Sequence, residues 1–342
     1  MGIRALIADD SAFMRKVISD MLSSDDEIEI VGTAQDGEEA LRKVKELSPD
    51  VVTLDIEMPR MDGLTSLAYI MVEHPVPVVM LSAMNKREAD VVIKSLKYGA
   101  VDFIPKPSGV ISLDIEDIKG EILAKVKMAA RTRVKRAKLL LPRPRFVQPS
   151  VRSRGRKEVA VIGASTGGPQ ALTYVLSHLP GSIPLRFLVV QHMPSTFTAS
   201  LAEHLSWQCS LEVKEAEDGE TIRPGLVLIA PGDYHMIVKG SDEEKVRLIQ
   251  TPKVHGVRPS VDVTMKSAAE VYGRKVLGVI LTGMGEDGTQ GAKVIKERGG
   301  EIIAEDKSSC VVFGMPRAAI DSGYVDKVVA LSHIPREIMQ TA

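Results

Sequence analysis

Two groups of residues in this 342-residue sequence have the types and spacing to do chemistry. In the first, Asp9 ends the run "IRALIAD" and Asp10 follows it, Asp55 ends "VVTLD", Ser82 ends "VPVVMLS", and Lys106 follows "DFIP". Carboxylates gathered on one rim repel each other unless a cation neutralises them, and a hard-oxygen set suits Mg²⁺. Any one of these acids reads as well as a solvated group or a helix cap. Three of them with a hydroxyl and an amine favour a cation-dependent site. In the second group, Gly163, Ala164, Ser165, Thr166 and Gly167 spell G-x-S-x-G between the apolar run "EVAVIG" and a helical pattern. Small flanking residues permit a sharp turn that lifts a serine oxygen above a sheet. A phosphate cradle fits less well, because "GASTGG" has neither the lysine of GxxxxGK[ST] nor the GxGxxG spacing. A helix cap stays open, since Ser and Thr favour helix starts.

A serine nucleophile needs a base and an orienting acid. Of the seven histidines, His178 and His204 fall within helical patterns, His74 ends one, and His333 sits in the C-terminal "HIPRE". His192 directly follows "LRFLVVQ", where a sheet that presents Ser165 also presents it. His235 and His255 each lie in a loop or at a strand start. Asp287, in "ILTGMGEDGTQGA", follows a strand-like run, with capping of the next helix as its bland alternative. Residues at three strand ends read as a triad in the order Ser165, His192, Asp287. α/β-Hydrolases run Ser, Asp, His, so a different fold is expected.

These positions require two α/β units. In the first, "IRALIAD", "EIVGTA", "VVTLD", "VPVVMLS" and "DFIP" alternate with helical stretches over Phe13–Leu22, Gly37–Leu47, Gly63–His74 and Arg87–Tyr98. In the second, "EVAVIG", "LRFLVVQ", "LEVKEA", "GLVLIA" and "KVLGVILT" are strand-like, with helices near Gln170–Leu179, Phe197–Trp207, Val261–Tyr272 and Gly288–Arg298. Both read as doubly wound parallel sheets, whose sites lie at the carboxyl ends of the strands. The expected domains are 1–125 and 157–342, joined by a linker over 126–156.

Charge marks that linker. Lys119–Lys157 is +13 within a chain of net charge −1, and it ends in the proline-containing "LLLPRPRFVQPSVRSRGRK". Aromatic interleaving is limited to Phe146 and there is no helix-turn-helix pattern, so an electrostatic tether is favoured over nucleic-acid binding. No apolar run approaches the length of a membrane span, and "MGIRALIADDS" reaches carboxylates too early for a signal peptide. A cytoplasmic chain without membrane insertion is expected. Cys209 and Cys310 form no CxxC pattern and read as structural thiols.

Residues 2–125 resemble the receiver domain of bacterial response regulators, which is flavodoxin-like, on "IADDS", "LDIEMPRMDG", "LSAM" and "FIPKP". The resemblance implies that Asp55 accepts a phosphoryl group from a chemotaxis histidine kinase. It implies that Asp10 and Asp55 hold Mg²⁺ with Asp9 nearby and the Glu57 carbonyl as a further ligand, and that Ser82 and Lys106 contact the phosphate. The aromatic switch position, often Tyr in that family, is Phe103 here, which cannot donate a hydroxyl hydrogen bond. Residues 157–340 resemble the Rossmann-like catalytic domain of chemotaxis protein-glutamate methylesterases, on "IGASTGGPQAL", "VVQHMP", "APGDYHM", "RPSVDVTM", "LTGMGEDG" and "GMPRAA". The implied triad is Ser165, His192 and Asp287, without a cofactor, and the implied substrates are methylated cytoplasmic domains of chemoreceptors, with deamidation of receptor glutamines as a further activity. Backbone N–H groups near Thr166 and Met284 are the candidate oxyanion donors. Phosphorylation is expected to relieve inhibition by the receiver. A general serine esterase or amidase under phosphorylation control is the alternative, and a DNA-binding regulator the more distant one.

Overall fold

The computed structural model describes residues 2–83, 85–106, 115–132, 157–240 and 244–342. The chain divides into two compact units near residue 141.

The N-terminal unit alternates β1 (Ile3–Ala8), α1 (Ala12–Leu22), β2 (Ile28–Ala34), α2 (Gly37–Leu47), β3 (Val51–Asp55), α3 (Gly63–Glu73), β4 (Val78–Ser82), α4 (Lys86–Tyr98), β5 (Asp102–Pro105) and α5 (Ile115–Ala130). All five strands are parallel, in the order β2-β1-β3-β4-β5. β3 and β4 are buried along their whole lengths, as expected where helices cover both faces. Side-chain caps begin the helices. Asp36 accepts from the Glu39 N–H at 2.8 Å and Asp62 from the Thr65 N–H at 2.7 Å. The expected boundary at residue 125 falls inside α5. The basic segment beyond residue 132 lies outside the described residues.

The C-terminal unit runs β6 (Val159–Ala164), α6 (Gly168–Ser177), β7 (Arg186–Gln191), α7 (Ser195–Gln208), β8 (Glu212–Glu215), β9 (Leu226–Ile229), β10 (His235–Lys239), β11 (Lys245–Ile249), α8 (Val261–Tyr272), β12 (Val276–Ile280), α9 (Thr289–Glu297), β13 (Glu301–Glu305), α10 (Met315–Asp321), β14 (Lys327–Val329) and α11 (Ile334–Thr341). Seven strands form a parallel sheet in the order β14-β13-β12-β6-β7-β9-β8, and β10 and β11 make a separate antiparallel pair. The chain leaves β6 toward β7 and later returns to its other side as β12. The strand order therefore reverses at β6, which opens a crevice at the carboxyl ends of β6, β7 and β12. β6 and β12 are fully buried, and so are Phe187, Phe197, Leu188 and Met265 around them. Four strands in this unit, β10, β11, β13 and β14, were not expected from the sequence.

Candidate active site

Ser165 follows β6 and is half-buried. Its own N–H donates to the Thr282 carbonyl beyond β12 at 3.0 Å, and its carbonyl accepts from Gln191 Nε2 at the end of β7 at 2.9 Å. The turn is thus tied to both flanking strands. Gly167 lies at φ +76°, a left-handed conformation open to glycine, and a Cβ there would meet Val311 at 2.5 Å. Gly283 brings the β12 loop against the serine, since a Cβ would stand 2.7 Å from the Ser165 Cβ. The cap of α6 is Gly167 and it makes no side-chain cap bond, which removes the helix-cap reading of Ser165.

His192 Nε2 lies 2.8 Å from Asp287 Oδ2. An ionised carboxylate only accepts, so Nε2 carries the proton and Nδ1 is the basic nitrogen. Asp287 is 2% exposed and sits at the N-terminus of α8. Its Oδ2 also accepts from the Val261 N–H at 2.7 Å, and its Oδ1 accepts from the Ser260 hydroxyl at 2.8 Å and the Asp262 N–H at 3.0 Å. Burial works against its charge, but the His192 bond and the amides of Asp262 and Val261 outweigh burial and hold the carboxyl below its usual range. Asp287 Oδ1 accepts from the Gly288 N–H just before the helix that follows it, at 3.0 Å. The first turn of that helix is capped by Asp262, which accepts from the Gly291 N–H at 2.6 Å and shares the Gly288 N–H at 3.0 Å. The two acids exchange helices: Asp287 holds the start of α8, and Asp262 the start of α9.

Asp262 also accepts from His255 Nε2 at 3.0 Å. His255, Asp262 and Asp287 have the donor types of a metal site. Every carboxylate oxygen among them already accepts from an amide, Ser260 or a histidine. Thr166 is buried and its carbonyl lies 3.0 Å from the Thr282 hydroxyl, while Met284 is 46% exposed beside the serine turn. Met193 and Met236 are buried. Glu305, buried at the end of β13, accepts from the Thr282 N–H at 2.9 Å. Burial pushes its carboxyl up against that bond. His74 and His178 end helices, His204 lies within α7, and His333 precedes α11. Cys209 and Cys310 are free thiols, and burial raises Cys209 to about 12.

Sequence reasoning missed Ser260, Asp262, Gln191, Thr282 and Glu305. The first two carry a signal in "RPSVDV", where Ser precedes a helix whose second residue is Asp. Gln191 and Thr282 sit in apolar runs that read as plain strand, and Glu305 ends β13, a strand not expected from the sequence.

In the N-terminal unit, Lys106 Nζ stands 2.6 Å from Asp55 Oδ2 and 3.1 Å from Asp9 Oδ2. Both oxygens are buried, and the Lys106 ammonium is the charge that faces them. Burial raises the Asp55 carboxyl to about 6, against the pull of Lys106 and with the Asp9 charge adding to the rise. Oxygens of Asp9, Asp10 and Asp55 lie within 4.8 Å of one another. Three converging carboxylates facing a single ammonium fit a hard divalent cation such as Mg²⁺. Exposed Asp10 and Glu57 line an adjoining cavity of about 530 Å³ with Met58 and Asp62. Ser82 is buried and donates to Glu88 Oε2 at 2.8 Å. Phe103 is also buried, with Lys125 Nζ 5.1 Å from its ring centroid.

Residues 160–338 match the family model described as CheB methylesterase, and residues 5–115 match that of the response regulator receiver domain. A protein-glutamate methylesterase/protein-glutamine glutaminase of Pyrococcus horikoshii is 47% identical over 99% of this chain and 93% of its own length. That of Thermotoga maritima is 45% identical over 99% and 98%. The crystal structure of the Thermotoga maritima CheB methylesterase catalytic domain superposes with a TM-score of 0.54 at 48% identity, covering 54% of this chain and 99% of that one.

Proposed function

Because the chain belongs to the CheB methylesterase family, as a protein-glutamate methylesterase/protein-glutamine glutaminase with an N-terminal receiver domain, we propose that it is a phosphorylation-activated serine esterase acting on methylated glutamates of chemoreceptors. The observation that carries this reading is the 2.8 Å His192–Asp287 bond at the switch point of the sheet, beside the tied serine turn.

In the proposed reaction, His192 Nδ1 takes the Ser165 proton as the serine oxygen attacks the ester carbonyl. Asp287 fixes the tautomer and stabilises the imidazolium that forms. His192 returns the proton to the leaving methoxide, methanol departs, and water releases the free glutamate by the same steps. A glutamine side chain follows the same route with ammonia leaving. The N–H groups of Thr166 and Met284 are the proposed oxyanion donors, each worth about 2.7–4 kcal/mol in a comparable site.

Control lies at Asp55, whose carboxylate oxygen attacks the phosphorus of a phosphohistidine on the kinase. Mg²⁺, when bound, neutralises the phosphoryl oxygens and the clustered carboxylates. Asp9, Asp10, Asp55 and the Glu57 carbonyl would hold it. Lys106, already paired to Asp55, balances part of the arriving charge of about −2. Ser82 leaves Glu88 for the phosphate, and Phe103 follows as the buried switch. We propose that the unphosphorylated receiver covers the catalytic rim and that phosphorylation weakens this cover. Even about 1.4 kcal/mol of weakening shifts the closed-to-open ratio tenfold.

The domains are proposed as 1–125 and 157–342 with the basic segment as tether, and the reaction as cytoplasmic. Among the described residues no helix is long and apolar enough to cross a membrane. The decisive experiment is methanol release from methylated receptor fragments with and without phosphorylation. Turnover of simple esters combined with inertness toward receptors would favour a general esterase.

A further inference from the structure

We propose that His235 is a positioning residue: it holds Ser260, and through Ser260 the Asp287 carboxylate, in the orientation His192 needs. The proposal rests on the triad reading above. His235 and Ser260 are both fully buried. His235 Nε2 lies 3.1 Å from the Pro252 carbonyl, and its Nδ1 lies 3.1 Å from the Ser260 backbone nitrogen. A carbonyl only accepts and an amide N–H only donates, so the ring is fixed as the neutral form with the proton on Nε2. Ser260 in turn donates its hydroxyl to Asp287 Oδ1 at 2.8 Å. That hydroxyl makes no cap bond to its own helix, which leaves it to serve the acid. The row therefore runs Pro252, His235, Ser260, Asp287, His192, with each member in contact with the next.

β10 sets where α8 lies along its axis. The Thr264 hydroxyl donates to the Met236 carbonyl at 2.7 Å and the Val238 N–H to the Ser267 hydroxyl at 3.0 Å. These two bonds attach the body of the helix to the strand. The His235 bond to Ser260 is the third between β10 and this segment, and it touches the residue that also touches Asp287. Losing it frees the start of α8 to slide or twist by a fraction of an ångström, and the Asp287 carboxylate moves with it. Displacements of that size lower rate more than binding, because they misplace groups used only in the transition state.

The test separates the two ring nitrogens in the full-length phosphorylated chain. His235→Asn keeps an acceptor near the Nδ1 position and loses the donor to Pro252. His235→Gln keeps a donor toward Pro252 and loses the acceptor for Ser260. The expected result is a kcat for methanol release about tenfold or more below the unmodified protein in His235→Gln, with KM within about twofold, and recovery to within about threefold in His235→Asn. Thermal stability should not follow this order, since each variant loses one bond of the pair. Ser260→Ala should lower kcat comparably, and the double variant His235→Gln/Ser260→Ala should be no slower than the slower single one. The low-field proton resonance of the His192–Asp287 bond should shift in His235→Gln and stay in His235→Asn. If His235→Gln does not fold, Ser260→Ala decides. Equal activity of the two His235 variants, kcat losses that track stability, or full kcat in Ser260→Ala would overturn the proposal. Ser165→Ala serves as the separate control: methanol release by that variant removes the triad reading itself, whereas an inert Ser165→Ala with a fast His235→Gln removes only the role of His235.

Discussion

Asp287→Asn changes one atom and strikes five hydrogen bonds. The carboxylate accepts from Ser260, Asp262 and Gly288 at Oδ1 and from His192 and Val261 at Oδ2. Asparagine has one accepting oxygen, which will turn to the side with three donors. Its NH₂ then faces the Val261 N–H and the His192 ring. The ring can meet it only by presenting an unprotonated Nε2, which moves the proton to Nδ1 and leaves His192 unable to take the proton of Ser165. A tautomer trap of this kind lowers kcat about 10⁴-fold in a serine protease. Stability falls as well, because a stranded buried donor costs about 1–3 kcal/mol and the loss of charge-assisted bonds brings the total to roughly 3–5 kcal/mol. The sign with pH follows from the lowered carboxyl of Asp287. A depressed folded value means that its contribution is complete above the ordinary carboxylate range and is lost as pH falls through the folded value. The stability gap between the two proteins should therefore be widest at neutral pH and close on acidification. Methanol release by the phosphorylated chain and urea unfolding across that range measure both quantities. A kcat within tenfold of the unmodified protein, or a gap that widens in acid, refutes the reasoning.

Ser165→Ala should lower turnover by about 10⁶, as in a comparable triad, with little change in urea midpoint, since its side chain caps no helix. Asp55→Asn should abolish labelling by a small phosphodonor in Mg²⁺, and chelation should do the same to the unmodified chain; an acyl phosphate persisting in the variant would place the acceptor elsewhere. A fragment of residues 157–342 should release methanol faster than the unphosphorylated full chain, and phosphorylation of the full chain should close much of that gap. A fragment no faster at any receptor concentration would rule out inhibition by the receiver.

The long parallel strands were legible because they are buried on both faces and read as unbroken apolar runs. β6, β7 and β12 are found where "VAVIG", "LRFLVVQ" and "KVLGVIL" stand, and α2 and α8 match their expected bounds. β14 was missed because three residues are too few to show periodicity, and β13, "EIIAE", because a glutamate at each end cuts its apolar run to three residues. β10 and β11 were missed for another reason: they pair with each other and not with the large sheet. Phe13, which opens the expected helical stretch Phe13–Leu22, is 53% exposed, since an apolar side chain outside a core carries no penalty large enough to forbid it. At the site, residue types at strand ends were readable because a doubly wound sheet forces them onto one rim. The cradle around Asp287 was not, because its parts come from "DYHM", "RPSVDV" and "GEDG", stretches whose contact depends on the packing of α8 against α9 and β10.

The exchange of acids between α8 and α9 makes the catalytic apparatus an all-or-none assembly. The Val261 and Asp262 amides at the start of α8 wait for Asp287, 26 and 25 residues away, and the Gly291 amide in the first turn of α9 waits for Asp262, 29 residues away. A folding intermediate with one helix docked would strand amides on that helix and a carboxylate on the other, so half-formed states are disfavoured and short-lived. During refolding, esterase activity should return with the last cooperative step and at no earlier stage. In sequence divergence the same coupling binds positions 262 and 287 together, because a change at either is felt at both helix starts.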